Sequence, residues 1–378
     1  MNKNLIKVYE RDASGFKGRA LDVVFPRNVV EVCRIVANTK RIVVRGGGSG
    51  LVGGCVPQNG LDVVLDLSKM DKIYGFDNER KTVEVEAGVI LDELQGYLGR
   101  FGLEFPVKPS SHAIATIGGM IATDAVGSRA IKYGKTSNWV KWVDVVDCYG
   151  ELYRKGITEL SDYCGMEGIT GVVVRACLKL SSVKKRSASL VRVESLEEVI
   201  GLVRNLKMDA NISMIEFFDK QVSEWLELGK VYSLIVEREG ESLEGDNREW
   251  VVGAEYDRLM SLRDRVGPVL SGKELLIYED PKVLLDRSDK LIAWCEAKGV
   301  PVFGHIGVGI FHPRFRKDQK ELVSEMMKLV KRLGGQISGE HGIGVLKKEF
   351  VDANDKKILI NVKKRTDSLN KFNLGKVI

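Results

Sequence analysis

Directly after a short apolar run the chain reads Arg45-Gly46-Gly47-Gly48-Ser49-Gly50-Leu51-Val52-Gly53-Gly54, six glycines in the nine residues 46–54. Within it Gly48-x-Gly50-x-x-Gly53 formally satisfies the dinucleotide fingerprint. That fingerprint needs a helix to begin at once, so that its amino end meets the pyrophosphate. Here Gly54-Cys55-Val56-Pro57-Gln58-Asn59-Gly60 reads as loop, and Leu61-Asp62-Val63-Val64-Leu65-Asp66-Leu67 as another strand. A Rossmann arrangement therefore fails its context test, and no G-K-S/T follows to make a nucleotide triphosphatase loop. What remains is a nest of backbone N–H groups able to wrap an anion such as a diphosphate.

Glycine is abundant along the whole chain, at 40 residues against 8 prolines. The glycines cluster in 46–60, 118–134, 165–171, 299–309 and 334–344 without a repeat of fixed period, which suggests backbone surfaces converging on one ligand. The 378 residues are enough for two packed domains. A hydrophobic fraction of 44% and a charged fraction of 29% are those of an ordinary globular protein. Uninterrupted apolar stretches stay under ten residues, too short for a membrane-spanning helix. Met1 to Lys7 has no apolar signal core, and the six scattered cysteines form no C-x-x-C pair. Together these lead us to expect a cytoplasmic protein with reduced thiols. The net charge of +6 comes from interspersed charges rather than a basic stripe. It argues against nucleic acid and is compatible with peripheral contact at the inner membrane face.

Periodicity predicts helices over 28–38 and 91–101 and strands over 41–44, 61–67, 82–87 and 171–180. A hairpin is expected around Tyr149-Gly150. In the second half, strands near 190–193, 212–218, 231–237 and 301–303 alternate with helices from Ser195, near 219–228, 254–265 and 282–298, and over 319–333 and 355–365. The fold class expected is α+β, with an antiparallel sheet in the second part. The polar, basic stretch 181–189 places the boundary near 185, giving domains 1–185 and 186–378.

The chain has four histidines, and three fall in two glycine-flanked segments. Gly304-His305-Ile306-Gly307-Val308-Gly309-Ile310-Phe311-His312-Pro313 spaces two of them seven apart; Ser338-Gly339-Glu340-His341-Gly342-Ile343-Gly344 sets an acid beside the third. A continuous strand would put His305 and His312 on opposite faces, whereas a glycine turn or bulge between them could bring both rings to one side. Two imidazoles and a carboxylate form the three-ligand set of a catalytic divalent metal, leaving room for substrate. Of Glu340 and His341, one could ligate and the other act as base. The alternative is a set of isolated core or loop histidines.

The segments 43–54 and 63–70, followed by Glu84-Val85-Glu86-Ala87-Gly88-Val89, Pro109-Ser110-Ser111, Ala115-Thr116-Ile117-Gly118-Gly119-Met120-Ile121-Ala122-Thr123, Lys132-Tyr133-Gly134 and Glu167-Gly168-Ile169-Thr170-Gly171-Val172-Val173, resemble in order and spacing the FAD domain of the vanillyl-alcohol-oxidase/p-cresol-methylhydroxylase (PCMH-type) superfamily. The resemblance implies non-covalent FAD, with its diphosphate on Arg45, Gly46, Gly47, Gly48, Ser49, Gly50 and Leu51. It further assigns Pro109, Ser110, Ser111, Thr116, Gly118, Gly119, Ala122, Thr123, Glu167, Gly168, Gly171, Val172 and Val173 to the cofactor. Asp124 and Val126 depart from the family's usual Asn and Gly. Cys55 could be linked to flavin as a thioether, but a small packed residue is the favoured reading, and His112 is read as loop packing.

The second half resembles the D-2-hydroxy-acid dehydrogenase branch of the same superfamily, which includes D-lactate dehydrogenases and glycolate oxidase flavin subunits. Its signatures here are His305-x6-His312, Gly339-Glu340-His341-Gly342-Ile343-Gly344 and the closing Asn373-Leu374-Gly375-Lys376-Val377. The resemblance implies a metal, with zinc expected, on His305, His312 and Glu340. It implies His341 as base, a carboxylate clamp at Arg263, and oxidation of a D-lactate- or glycolate-class 2-hydroxy acid with hydride passing to flavin N5. Val308 and Ile310 replace the branch's Asp and Asn, and Arg314 is expected to supply the missing polar contact. The electron acceptor would be a quinone, an electron-transfer protein or an artificial dye, and the assembly a homodimer or a hetero-oligomer. Two other readings stay open: a non-oxidising enzyme of the alkylglycerone-phosphate synthase type, and a flavin-carrying subunit inactive without its partner.

Overall fold

The structure is a computed structural model that describes residues 3–240 and 248–378. The chain divides into two compact units. The first comprises 1–125, 135–183 and 340–378, and the second 126–134 and 184–339.

In the first unit, Ile42–Arg45 and Ala20–Val24 flank Asp62–Asp66 in a three-stranded parallel sheet. The helix Val29–Asn38 packs Val32 and Val36 against Ile42, Leu65 and Val146. Its start is set by Asn28, whose side chain accepts from the Glu31 N–H, as expected of an N-cap. A separate five-stranded antiparallel sheet runs in the order Ile73–Asp77, Thr82–Glu86, Val172–Lys179, Val140–Val146, Leu152–Gly156. The expected hairpin appears as Val146 opposite Leu152. The helix Leu91–Gly99 closes this layer through Leu91, Leu94 and Leu98, which join Val83, Val85, Val143 and Leu178 in one core.

The second unit is built on a six-stranded antiparallel sheet, ordered Arg186–Val193, Tyr232–Glu239, Ile212–Phe218, Val302–His305, Ile310–Phe315, Ile277–Tyr278. Val266 and Leu270 of the helix Gly253–Gly272 pack on Met214, Phe218 and Ile235. The helix Leu196–Leu206 begins at Ser195, whose side chain accepts from the Glu198 N–H.

The compact units differ from the expected continuous domains 1–185 and 186–378 in two places, each with a physical reason. Residues 126–134 belong with the second unit because two buried glutamates hold them. Arg129 makes a two-pronged pair with Glu237 (2.7 and 2.8 Å), while Tyr133 and Lys132 reach Glu239 at 2.7 and 3.0 Å. Residues 340–378 return to the first unit, where Phe372 bridges Ile42 and enters its core. Among the described residues no helix is long and apolar enough to cross a membrane.

Candidate functional site

The glycine run leaves the strand Ile42–Arg45 and forms no helix before Asp62–Asp66, so it stands as an extended loop rather than a Rossmann turn. Close packing explains its composition. A Cβ on Gly46 would lie 2.2 Å from Thr116 Oγ1, and one on Gly47 only 1.8 Å from the Ile114 carbonyl oxygen. The loop is thus pressed against the segment carrying Ser110, Ser111 and Thr116, a stretch remote from it along the chain. Thr116 caps the short helix Ile117–Thr123 by accepting from the Gly119 N–H, and Thr123 Oγ1 donates back to the Gly119 carbonyl at 3.1 Å. Asp124 takes the left-handed C-cap position (φ +49°) and accepts from the Ser137 N–H at 2.8 Å. Beside Gly48 opens a cavity of about 420 Å³ lined by Lys7, Arg11, Asp12 and Arg45. Three cationic side chains against one carboxylate suit a phosphate-bearing ligand.

Behind the loop, the Asp12 carboxylate accepts from the Gly53 N–H at 2.9 Å, and Arg45 donates to the Arg11 carbonyl at 3.0 Å. Cys55 sits 3.4 Å from Arg45 Nη1, with burial pushing its thiol up, which suits packing rather than reaction. His112 is on the rim, its Nδ1 2.7 Å from Asp92.

The third flavin-family turn is tied to the chain's last segment. Glu167 is buried, with φ +48°, and its carboxylate accepts from the N–H groups of Ile343 (2.6 Å) and Gly344 (2.9 Å). Burial pushes its carboxyl up to about 7 despite those donors and the nearby Lys347 and Lys376. Asn373 accepts from the Val44 N–H at 3.2 Å and donates to the Glu167 carbonyl at 2.5 Å. Lys376, pushed down to about 8 by burial, donates to the Gly54 carbonyl at 2.9 Å. Gly168, Gly171, Val172 and Val173 continue from this turn into the strand Val172–Lys179.

In the second unit, the two histidines come together through a hairpin. Phe303 lies opposite His312 and His305 opposite Ile310, so all four side chains share one face. The reversal occurs in the 3₁₀ turn Ile306–Val308 and at Gly309, where φ is +75° and any Cβ would lie 2.0 Å from the Val283 carbonyl oxygen, so that only glycine fits. The rings of His305 and His312 end 5.2 Å apart, edge to face. Asp280 fixes Ser338 and Gly339, its carboxylate accepting from Ser338 Oγ at 2.9 Å and from the Gly339 N–H at 3.0 Å. Glu340 follows Gly339 directly, and one ligand atom from each of His305, His312 and Glu340 lies within 4.8 Å of the others. This donor set fits a divalent transition metal. His341 Nε2 stands 3.4 Å from Glu340 Oε1.

A residue that the sequence alone does not single out completes this cluster. Glu216, 1% exposed, hydrogen-bonds His305 Nδ1 through one oxygen and pairs with Arg263 Nε at 3.3 Å through the other. Burial alone would raise its pKa; the neighbouring His305 and Arg263 outweigh this and hold the carboxyl below its ordinary value. The signal was present as a lone acid in the apolar run Ile212-Ser213-Met214-Ile215-Glu216-Phe217-Phe218, every residue of which is buried. Arg314 is placed differently from the expected substrate contact. It is 3% exposed, donates to the Leu275 carbonyl at 2.7 Å, and covers the Tyr278 ring at 3.6 Å. Its guanidinium is occupied in joining the edge strand Ile277–Tyr278 to the sheet.

A glycine-rich backbone loop suited to a diphosphate in the first unit, and a pair of histidines meeting in the second, fit a flavin-dependent oxidoreductase of two-unit build. The FAD binding domain family matches residues 20–156, and the C-terminal domain of FAD linked oxidases matches 254–377. A D-lactate dehydrogenase from Archaeoglobus fulgidus is 30% identical over 94% of this chain and 91% of its own. A glycolate oxidase subunit, GlcD of Bacillus subtilis, is 29% identical over 98% of this chain and 92% of its own. Among solved structures, an alkyldihydroxyacetonephosphate synthase superposes with a TM-score of 0.70 at 18% identity, covering 93% of this chain and 75% of that one. The chain belongs to the FAD-linked oxidase family.

Proposed function

We propose that this enzyme oxidises a 2-hydroxy acid of the D-lactate or glycolate class to the 2-oxo acid, with His341 as base. The observation that carries the reading is the His305–His312–Glu340 cluster with a histidine next in the chain. Relatives bearing the names D-lactate dehydrogenase and glycolate oxidase subunit match over nearly the whole chain. When bound, FAD supplies a hydride acceptor, and a divalent metal such as zinc supplies Lewis-acid polarisation of a hydroxyl. Arg263 supplies positive charge for the substrate carboxylate through the part of its guanidinium not turned to Glu216. His341, as a neutral imidazole, accepts the hydroxyl proton while the α-hydrogen departs with its electron pair. Ile310 lies on the same sheet face as both histidines, which favours an acid with a small or apolar side chain over one with a second carboxylate. The two electrons then pass to a quinone, an electron-transfer protein or, in an assay, a dye. The ether-forming alternative draws on likeness of fold alone.

The test is the visible spectrum of the FAD-loaded chain, followed anaerobically with D- and L-2-hydroxy acids. Bleaching by one enantiomer is expected. His341→Ala should retain the flavin and lower the bleaching rate about 10²–10⁴-fold. An unchanged rate in that variant removes His341 as the base, and a flavin that no 2-hydroxy acid bleaches removes the oxidation.

A further inference from the structure

We infer that Glu216 is a positioning residue: one buried carboxylate that orients the His305 ring with one oxygen and the Arg263 guanidinium with the other. The inference deepens the reading above and rests on it for the metal, but not for the geometry. Glu216 lies mid-strand in Ile212–Phe218, where Phe217 pairs with Gly304 in the neighbouring strand, so its side chain meets His305 without any loop intervening. A charge buried in a sheet costs several kcal/mol unless it is paired, and keeping one there calls for partners on both oxygens. Glu216 has them: His305 Nδ1 on Oε1 and Arg263 Nε on Oε2. Arg263 is itself only 15% exposed along its side chain, and its Nη1 also meets Asp264 at 3.2 Å.

The chemistry follows from the donor inventory. A carboxylate paired with arginine is acceptor-only, so the hydrogen of the Glu216–His305 bond belongs to Nδ1. That fixes the tautomer and leaves Nε2 as the lone-pair nitrogen of His305, aimed by a strand-borne support rather than a loop. A carboxylate behind a ligating histidine also raises the basicity of the ring. The same anion holds Arg263 by its Nε edge, so an incoming carboxylate meets a guanidinium whose orientation is already set. Sharing one anchor means that displacement of Glu216 disturbs the metal ligand and the anion clamp together.

The experiment uses the full-length FAD-loaded chain as wild type, Glu216→Gln and Glu216→Ala. Two quantities are read: the zinc dissociation constant by chelator competition, and the histidine ring tautomers of the metal-free protein by ¹⁵N NMR, with only four histidines to assign. His305→Gln identifies the His305 signals. In wild type, His305 is expected as the Nδ1–H form. Glu216→Ala should lose that signature and weaken zinc about 10–100-fold, the usual effect of removing a histidine's outer partner. Glu216→Gln, which keeps the packing, should show the same direction with a smaller change. A Glu216→Gln protein with retained FAD, wild-type zinc affinity and an unaltered His305 tautomer overturns the proposal, whatever Glu216→Ala does to folding. If wild type binds no zinc, the metal reading falls, while the tautomer comparison still decides the role of Glu216.

Discussion

Each unit of this enzyme buries a glutamate, and the two behave oppositely. Glu167 faces main-chain donors from Ile343 and Gly344, and burial pushes it up to about 7. Glu216 faces the side chains of His305 and Arg263, and their charge holds it below its usual value although it is just as enclosed. Backbone dipoles only partly repay the loss of water, whereas full charges within contact distance more than repay it. The flavin-side cradle is accordingly made of backbone, and the histidine cluster is made of side chains.

That contrast breaks most visibly if single side chains are removed from the second unit. His305→Ala should take metal retained after dialysis from about one ion per chain to none, read by elemental analysis, because a three-ligand site has no spare donor. Retention would mean that the cluster does not bind metal through His305.

The opposed glutamates also give opposed pH dependence. Glu167 has a folded pKa above its unfolded value near 4.5, so its contribution is full below that value and is lost as pH rises through about 7. The loss amounts to roughly 3 kcal/mol. Glu167→Gln should therefore flatten the fall in unfolding free energy across that window, measured in denaturant titrations. Glu216 has a depressed folded pKa, so its contribution is present above 4.5 and disappears as pH falls through the lower folded value. Glu216→Gln should remove stability on the alkaline side instead. The same slope in both variants would erase the distinction.

Adding atoms to the cradle should do what removing them does elsewhere. Gly47→Ala places a methyl against the Ile114 carbonyl and should cost about 2 kcal/mol with weakened FAD retention, checked by melting temperature and flavin release. Ser49→Ala, which leaves the backbone N–H groups in place, should change stability by less than about 0.5 kcal/mol. A large effect there would show the loop to work through its side chain.

The same contrast decided what could be read from the sequence. A close-packed backbone loop announces itself, because each close approach forces a glycine: the run at 46–54 stood out by composition, whereas the turn at 167–171 was assigned to the cofactor only through the family resemblance. The hairpin carrying His305 and His312 was half legible: the glycines announced a turn, but only the pairing of Phe303 with His312 shows that both rings share a face. Glu216 was hidden because its partners lie 89 and 47 residues away, and its strand reads as ordinary core. Arg314 misled for the converse reason, since nothing local says that a carbonyl at Leu275 and the ring of Tyr278 engage it. The strand Ala20–Val24 escaped notice because its parallel partner is Asp62–Asp66, and its half-exposed residues carry no clean alternation.

The return of residues 340–378 to the first unit bears on how the protein is made. Asn373 contacts Val44 across 329 residues of chain, and Lys376 reaches back 322 to Gly54. During synthesis the glycine loop emerges more than 300 residues before the groups that brace it. A nascent chain therefore waits with its cofactor cradle unbraced, a long-range closure of the kind that folds slowly and leaves apolar surface open meanwhile.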